Sequence, residues 1–261
     1  MPRLDDPTAI QAILERDRPW AVYALGDLGP GFAEHSDWFA LEDEPPALLL
    51  LYRRFDPPVL FALGAPERLA SLIDEVDLPV VSLHLRPEAL AALAPGYRLA
   101  ETRAMWRMLV EPATVRPAPV ADVSPLDLSD LDAILGLFAD GHRRGEGPAF
   151  FDPSMVGHGI FRGVWEGDDL VAVAGTHMTE PSFSVCAIGN VYTRHDRRRQ
   201  GLAARVTSAV VTEAFRRNLQ TVVLNVDQRN LAAARVYDRL SFVRYCDFVE
   251  GIAHRVRGSS S

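Results

Sequence analysis

Between positions 184 and 240 an arginine-rich turn joins an apolar stretch to a helical one, and that order of residue types suits anion binding. Ser184–Thr193 reads as a strand. The segment from Gly201 to about Arg217 reads as a helix with Leu202, Val206, Val210 and Ala214 along one stripe. Arg198-Arg199-Gln200-Gly201-Leu202-Ala203 connects the two. The first turn of a helix leaves backbone N–H groups unpaired and carries the positive end of the helix dipole, so phosphate is favoured there. Gly201 lets a ligand approach the backbone without a Cβ clash, and Ala203 keeps the next inward position small. From 194 to 205, Arg194, Arg197, Arg198, Arg199 and Arg205 are opposed only by Asp196, a basic island in a chain of net charge −8. Taken alone, the turn is either a site for a phosphorylated ligand or a solvated basic helix start.

A second pattern follows about thirty residues later. The β-branched run Thr221–Val226 reads as a strand buried on both faces, and it leads to Asn230-Leu231-Ala232-Ala233-Ala234-Arg235-Val236-Tyr237. The two patterns together resemble the GNAT superfamily of acyl-CoA-dependent N-acyltransferases, whose members carry Gln/Arg-x-x-Gly-x-Gly/Ala between a strand and a helix and often Asn-x-x-Ala-x-x-x-Tyr after the next strand. Ser241-Phe242 stands where the usual ending is Gly-Phe, a minor departure.

The resemblance spans about 125 to 250. It implies a mixed α/β sheet flanked by helices, in which two parallel strands splay apart to admit the pantetheine arm of CoA. It also implies acetyl-CoA as co-substrate; the seven histidines show no His-x-x-x-His or similar pairing, so no metal is expected. By the same resemblance, Val191, Tyr192 and Thr193 form the strand end whose backbone meets pantetheine and the acyl carbonyl. Arg198 opens the phosphate turn, the amides of Arg199, Gln200, Gly201, Leu202 and Ala203 hold the pyrophosphate, Asn230 contacts the cofactor, and Tyr237 lies near the thioester sulfur. The long chain before the motif resembles tandem acyltransferases, including the glycine N-acyltransferase-like group, whose N-terminal half is a degenerate copy.

Amine acylation sets the remaining demands. An alkyl amine with a pKa of about 10.4 is protonated at neutral pH, so exposing its lone pair costs roughly 4–5 kcal/mol before attack. A base is called for, and the leaving thiolate is best protonated as it departs, which suits the Tyr237 hydroxyl. Ser184–Asn190 carries no acid. The candidates for the base are His177, Glu180 and Asp227, with a solvated loop or a turn role as the plainer identity of the last two; water or proximity alone can serve instead. The segment Ala139–Pro153 reads as a loop over the acceptor, where Arg143 and Arg144 could read a carboxylate and Phe150 and Phe151 could line a pocket or anchor the loop.

The elements that must position these residues follow from pattern. The expected seam is Glu111–Pro125, punctuated by Pro112, Pro117, Pro119 and Pro125, and divides the chain into 1–118, a smaller α/β domain without a chemical motif, and 119–261, the acetyl-CoA-binding domain. In the first, a helix over Pro7–Leu28, strands at Ala47–Leu51, Val59–Leu63, Val80–Leu85 and Leu99–Val110, and helices at Pro66–Val76 and Pro87–Leu93 are expected. In the second, a helix runs from the Ser129 cap to Leu137, a hairpin joins Phe161–Trp165 to Leu170–Thr176, and a helix over Asn230–Leu240 precedes a strand over Phe242–Glu250. Gly258–Ser261 reads as a frayed tail.

Composition narrows the function classes. With 261 residues, 48% of them hydrophobic and 24% charged, the chain has the profile of an ordinary globular protein. The longest uncharged apolar run falls far short of the roughly 20 residues of a membrane span. An acidic balance argues against nucleic-acid or anionic-membrane partners. Cys186 and Cys246 form no scaffold or metal spacing, and the acidic N-terminus lacks a secretory pattern, so cytoplasmic residence is expected. The expected partner is a small amine or amino-acid acceptor, in a chain that could act as a homodimer. The competing class is a catalytically silent CoA-binding or interaction module on the same fold. A dinucleotide oxidoreductase is disfavoured because no Gly-x-Gly-x-x-Gly turn is present.

Overall fold

The architecture is that of a computed structural model describing residues 3–256, so the tail expected at Gly258–Ser261 lies outside the described residues. The chain divides into two compact units. One holds the residues up to Arg107 together with those from Tyr245 onward, and the other is Met108–Arg244.

The first unit opens with α1 (Pro7–Leu14), where the Asp6 carboxylate accepts from Thr8 N–H and Pro7 fills the first helical position. A short 3-10 turn and α2 (Val22–Gly26) follow, in place of the single helix expected over 7–28. Pro19 lies in that stretch, and a proline in a helix interior removes a donor and clashes with the preceding turn. Next come β1 (Ser36–Leu41), β2 (Ala47–Tyr52), β3 (Val59–Leu63), α3 (Pro66–Ile73), β4 (Val80–Leu85), α4 (Pro87–Leu93) and β5 (Tyr97–Val110). The second unit continues with β6 (Val123–Leu126), α5 (Leu131–Arg143), α6 (Ser154–His158), β7 (Phe161–Glu166), β8 (Asp169–Glu180), β9 (Val185–Thr193), α7 (Leu202–Arg216), β10 (Thr221–Asp227) and α8 (Leu231–Arg239). The last strand, β11 (Val243–Arg255), begins in the second unit and belongs to the first from Tyr245.

In the first unit the strand order is β1-β2-β3-β4-β11-β5, with β1, β2 and β3 antiparallel, β3 and β4 parallel, and β4 and β11 antiparallel. In the second it is β6-β7-β8-β9-β10, antiparallel until the parallel pair β9–β10. Each unit thus ends an antiparallel run in one parallel pair. The crossover is a helix both times, α3 in the first unit and α7 in the second, as parallel neighbours require. The two halves repeat one plan.

Apolar periodicity explains the cores. Leu69, Leu72 and Ile73 form the buried stripe of α3 and pack with Leu49 and Leu51 of β2 and Leu83 and Leu85 of β4. In the second unit Ile134, Leu137 and Phe138 of α5 pack with Phe161, Val173 and Tyr192. The stripe read on α7 is buried throughout, and Val222, Val223 and Leu224 of β10 are buried on both faces. Helix α5 runs past Leu137, into the segment expected to be loop. Gly141 stands where a Cβ would come within 2.8 Å of the Tyr192 ring, so close packing explains the glycine.

Among the described residues the Arg107 side chain is a wholly interior charge. Arg107 donates to the Pro19 and Trp20 carbonyls at 3.1 Å each and lies 2.7 Å from His84 Nε2, with its guanidinium 5.0 Å from the Tyr23 ring and 5.2 Å from that of Trp20. Carbonyls and aromatic faces thereby replace the water it has lost.

Candidate active site

The site begins where two strands part. β10 pairs with β9 from Thr221↔Val185 to Leu224↔Ile188, whereas β9 continues to Thr193 and β10 to Asp227. Across β9 on the other side, Val173 pairs with Tyr192 and Gly175 with Gly189, so β9 spends three steps where β8 spends two. The extra residue is a β-bulge, and Asn190 carries it with φ 54°. The bulge bends β9 at the point where its pairing with β10 stops. Val191, Tyr192 and Thr193 form the strand end beyond it.

The turn that follows closes back on this strand end. Arg198 Nε donates to the Thr193 carbonyl at 3.3 Å, and its guanidinium lies 5.6 Å from the centre of the Tyr192 ring. Arg198 Nη2 also donates to Glu146 Oε2 at 2.6 Å, and His195 Nδ1 lies 3.7 Å from the same oxygen. Tyr192 OH donates to Asp140 Oδ2 at 3.1 Å. Burial and this carboxylate push the tyrosine pKa up. Arg199 takes a left-handed backbone at φ 64°, and Gly201 another at φ 79° as the N-cap of α7. A Cβ placed on Gly201 would meet nothing within 4 Å, so this glycine meets a conformational need and faces open space.

Helix α7 has neither a side-chain cap nor an acid in its first turn. Its first amides, from Leu202 and Ala203, therefore keep their capacity for an anion. Thr193 Oγ1 is a buried hydroxyl without a hydrogen-bond partner at the same strand end. An uncapped helix start, an open glycine and an orphaned hydroxyl fit a phosphorylated ligand with an extended arm. Thr193, Arg198 and the turn to Ala203 are brought together as the sequence suggests.

The other residues singled out in the sequence fall as follows. Asn230 is the N-cap of α8, its Oδ1 accepting from Ala233 N–H at 3.1 Å, a structural duty for a residue expected at the cofactor. Tyr237 is buried on the same helix, edge-on to Phe242 at 5.9 Å, and burial pushes its hydroxyl up to about 12. It is therefore a neutral O–H donor across the physiological range.

Among the base candidates, Glu180 accepts from Ser182 N–H at 2.9 Å and pairs in register with Val185. That places it about 13 Å along the strand from Gly189 at roughly 3.3 Å per residue. Asp227 accepts from Arg229 N–H at 2.8 Å and is ion-paired to the same arginine, so it holds a turn. His177 lies beside the parting strands. Its ring covers Gly189, where a Cβ would fall 2.1 Å from Nε2, and burial pushes it down to about 4. Arg143 and Arg144 end α5 and lie 3.7 and 3.5 Å from Asp140. Phe151 packs edge-on to Phe138 at 5.0 Å, an anchor, whereas Phe150 is exposed and faces His177 at 6.3 Å.

Asn190, Glu146 and Asp140 were not singled out in the sequence. The Gly189-Asn190 pair inside an apolar run is the one local signal, since a glycine there marks a bulge.

Residues 131–242 match the model of the acetyltransferase (GNAT) family. The chain carries a GNAT acetyltransferase domain. A GNAT-family protein of known structure from Novosphingobium aromaticivorans is 23% identical over 78% of this chain and 88% of its own, with a TM-score of 0.57. An acetyltransferase of the GNAT family from Colwellia psychrerythraea is 12% identical over 98% of both chains, with a TM-score of 0.56. A tandem GNAT protein from the clavulanic acid biosynthesis pathway is 13% identical over 99% of both chains, with a TM-score of 0.56. At such identities the likeness establishes the fold, a mixed α/β sheet with flanking helices whose N-terminal half is also GNAT-like. No curated protein matches the sequence. Among the described residues no helix is long and apolar enough to cross a membrane.

Proposed function

We propose that this GNAT domain transfers an acetyl group from acetyl-CoA to the primary amine of a small molecule or amino acid, in the cytoplasm and without a metal. The observation that carries the reading is the uncapped start of α7 at Gly201, set beside the parted ends of β9 and β10. The α7 amides and Arg199 would take the pyrophosphate by charge-assisted hydrogen bonds, and the strand gap would take the pantetheine arm. The acceptor nitrogen attacks the thioester carbon, the C–N bond forms and the C–S bond breaks. A nitrogen proton leaves to His177 or water, and Tyr237 donates its hydroxyl proton to the departing sulfur. Holding both reactants in one cleft supplies much of the remaining rate.

A second reading is a CoA-binding module without turnover. It is favoured by the engagement of the carboxylates of Glu180 and Asp227 with backbone amides. Calorimetric titration with acetyl-CoA and with free CoA, followed by thiol release with a panel of amines, separates the two. Binding with release supports the enzyme, binding without release to any amine supports the module, and a folded protein that binds neither ligand overturns both.

A further inference from the structure

The side chain of Asn190 is buried, 4% exposed, two residues beyond the last β9–β10 pair. Its backbone is left-handed at φ 54°, a conformation that asparagine tolerates better than other residues with a Cβ. Its Nδ2 donates to Met155 Sδ at 3.4 Å, which fixes the amide and leaves Oδ1 buried without a partner. A buried carbonyl oxygen lacking a donor is costly, and its retention beside a reaction site points to a donor that arrives with a ligand.

The surroundings define what kind of donor this is. The next residue back, Gly189, lies under the His177 ring, and the exposed Phe150 stands edge-on to that ring. Burial keeps the imidazole neutral, with its pKa down at about 4. Acids on the neighbouring elements are occupied: Asp140 by Tyr192 and Arg144, Glu146 by Arg198, Asp152 by Ser154 and Glu180 by Ser182. Arg143 and Arg144 face Asp140. A cationic polyamine would find its counter-charges already engaged here, and so would a carboxylate-bearing acceptor.

Resting on the N-acetyltransferase reading, we infer that Asn190 binds the acceptor. Its Oδ1 takes an N–H of the attacking nitrogen, and the acceptor is an uncharged, weakly basic amine on an aromatic or apolar body that lies against Phe150 and His177. An arylamine has this chemistry. It is neutral near pH 7, donates an N–H and still offers its lone pair, and so needs no strong base before attack, in keeping with a β9 that carries no acid.

The test uses the full chain with aniline, benzylamine and spermidine as acceptors and acetyl-CoA as donor, reading thiol release. Wild type should favour aniline over benzylamine by about tenfold or more in kcat/KM. Asn190→Gly keeps the left-handed backbone accessible and removes Oδ1. It should raise KM for aniline by about tenfold while acetyl-CoA affinity by calorimetry stays put. Asn190→Asp puts a carboxylate at the same place and should shift preference toward the protonated benzylamine, a change that lost packing would not produce. An unchanged KM in Asn190→Gly, or a wild type that prefers spermidine, overturns the inference and leaves the acetyltransferase reading intact. Acetyl-CoA binding with no thiol release from any amine overturns that reading and this inference with it.

Discussion

The indole Nε1 of Trp20 donates to the carbonyl oxygen of Ala62 at 3.1 Å, so a fully buried side chain covers the end of β3 in the first unit. The same ring stacks on Phe61 at 5.4 Å and His84 at 5.1 Å, the last residues paired between β3 and β4. This is a parallel pair of the first unit, the counterpart of β9–β10 in the repeated plan. Where the second unit parts its strands, the first closes them with an aromatic ring. Helix α3 also opens directly on Pro66, without the arginine-rich turn that precedes α7.

One acetyl-CoA should therefore bind per chain, and calorimetry giving two would contradict the closed first site. Trp20→Ala should cost about 3–5 kcal/mol of stability, because it empties a fully packed site and unpairs the Ala62 carbonyl. Urea denaturation gives the comparison, and a midpoint equal to wild type would show that Trp20 seals nothing.

Gly201 combines a left-handed backbone with open space in front of it. Gly201→Val should lower stability by about 1–2 kcal/mol, the cost of a left-handed conformation for a residue with a Cβ. Its effect on acetyl-CoA affinity should be far larger, more than tenfold, because the added group occupies the place of the pyrophosphate. Thermal melting and calorimetry on the same sample separate the two effects. Full affinity in the variant would remove the α7 start from cofactor binding.

How much of this was legible follows from how local each feature is. The α7 stripe, the Arg198–Ala203 turn and the doubly buried β10 depend on period and composition within one segment, and each appears as the sequence suggests. The family resemblance makes Asn230 a cofactor contact, and its side-chain oxygen caps α8; Asn before a helix serves both purposes equally well. β6 forms within the proline-rich seam because Val123–Leu126 finds a partner in β7, a pairing the segment's own propensity does not announce. The extension of α5 through Gly141 depends on the Tyr192 ring, fifty residues away in sequence. The transfer of β11 to the first unit, and the unpartnered oxygen of Asn190, are consequences of tertiary pairing alone.

Glu213 of α7 gives a pH signature independent of catalysis. Its carboxylate accepts from Arg216 and Arg217 at 2.7 and 2.8 Å and lies 3.5 Å from Arg162 of β7. The Arg216 hydrogen bond and then that of Arg217, against the cost of burial, hold its pKa at about 2. The unfolded carboxyl titrates near about 4.3. A depressed folded pKa means that the stabilisation is complete above the unfolded value and is lost as pH falls from about 4.3 toward 2. Glu213→Gln should therefore melt well below wild type at pH 7, and the two should converge near pH 2. A constant difference across that window would show that packing, and not the ion pairs, sets its contribution.

Tyr237 tests the chemistry itself. Its side chain is buried, and burial pushes its hydroxyl up to about 12, so the oxygen carries a proton that a leaving group can take. Phenylalanine keeps the ring and its contact with Phe242 while removing that proton. Tyr237→Phe should thus leave acetyl-CoA affinity and melting temperature near wild type, and slow thiol release by about a hundredfold, the scale of a lost general acid. The loss should shrink with an acyl donor whose leaving thiol is more acidic, because a better leaving group needs less help from a proton donor. Equal turnover in the variant, or an equal loss with every leaving group, would assign Tyr237 to packing.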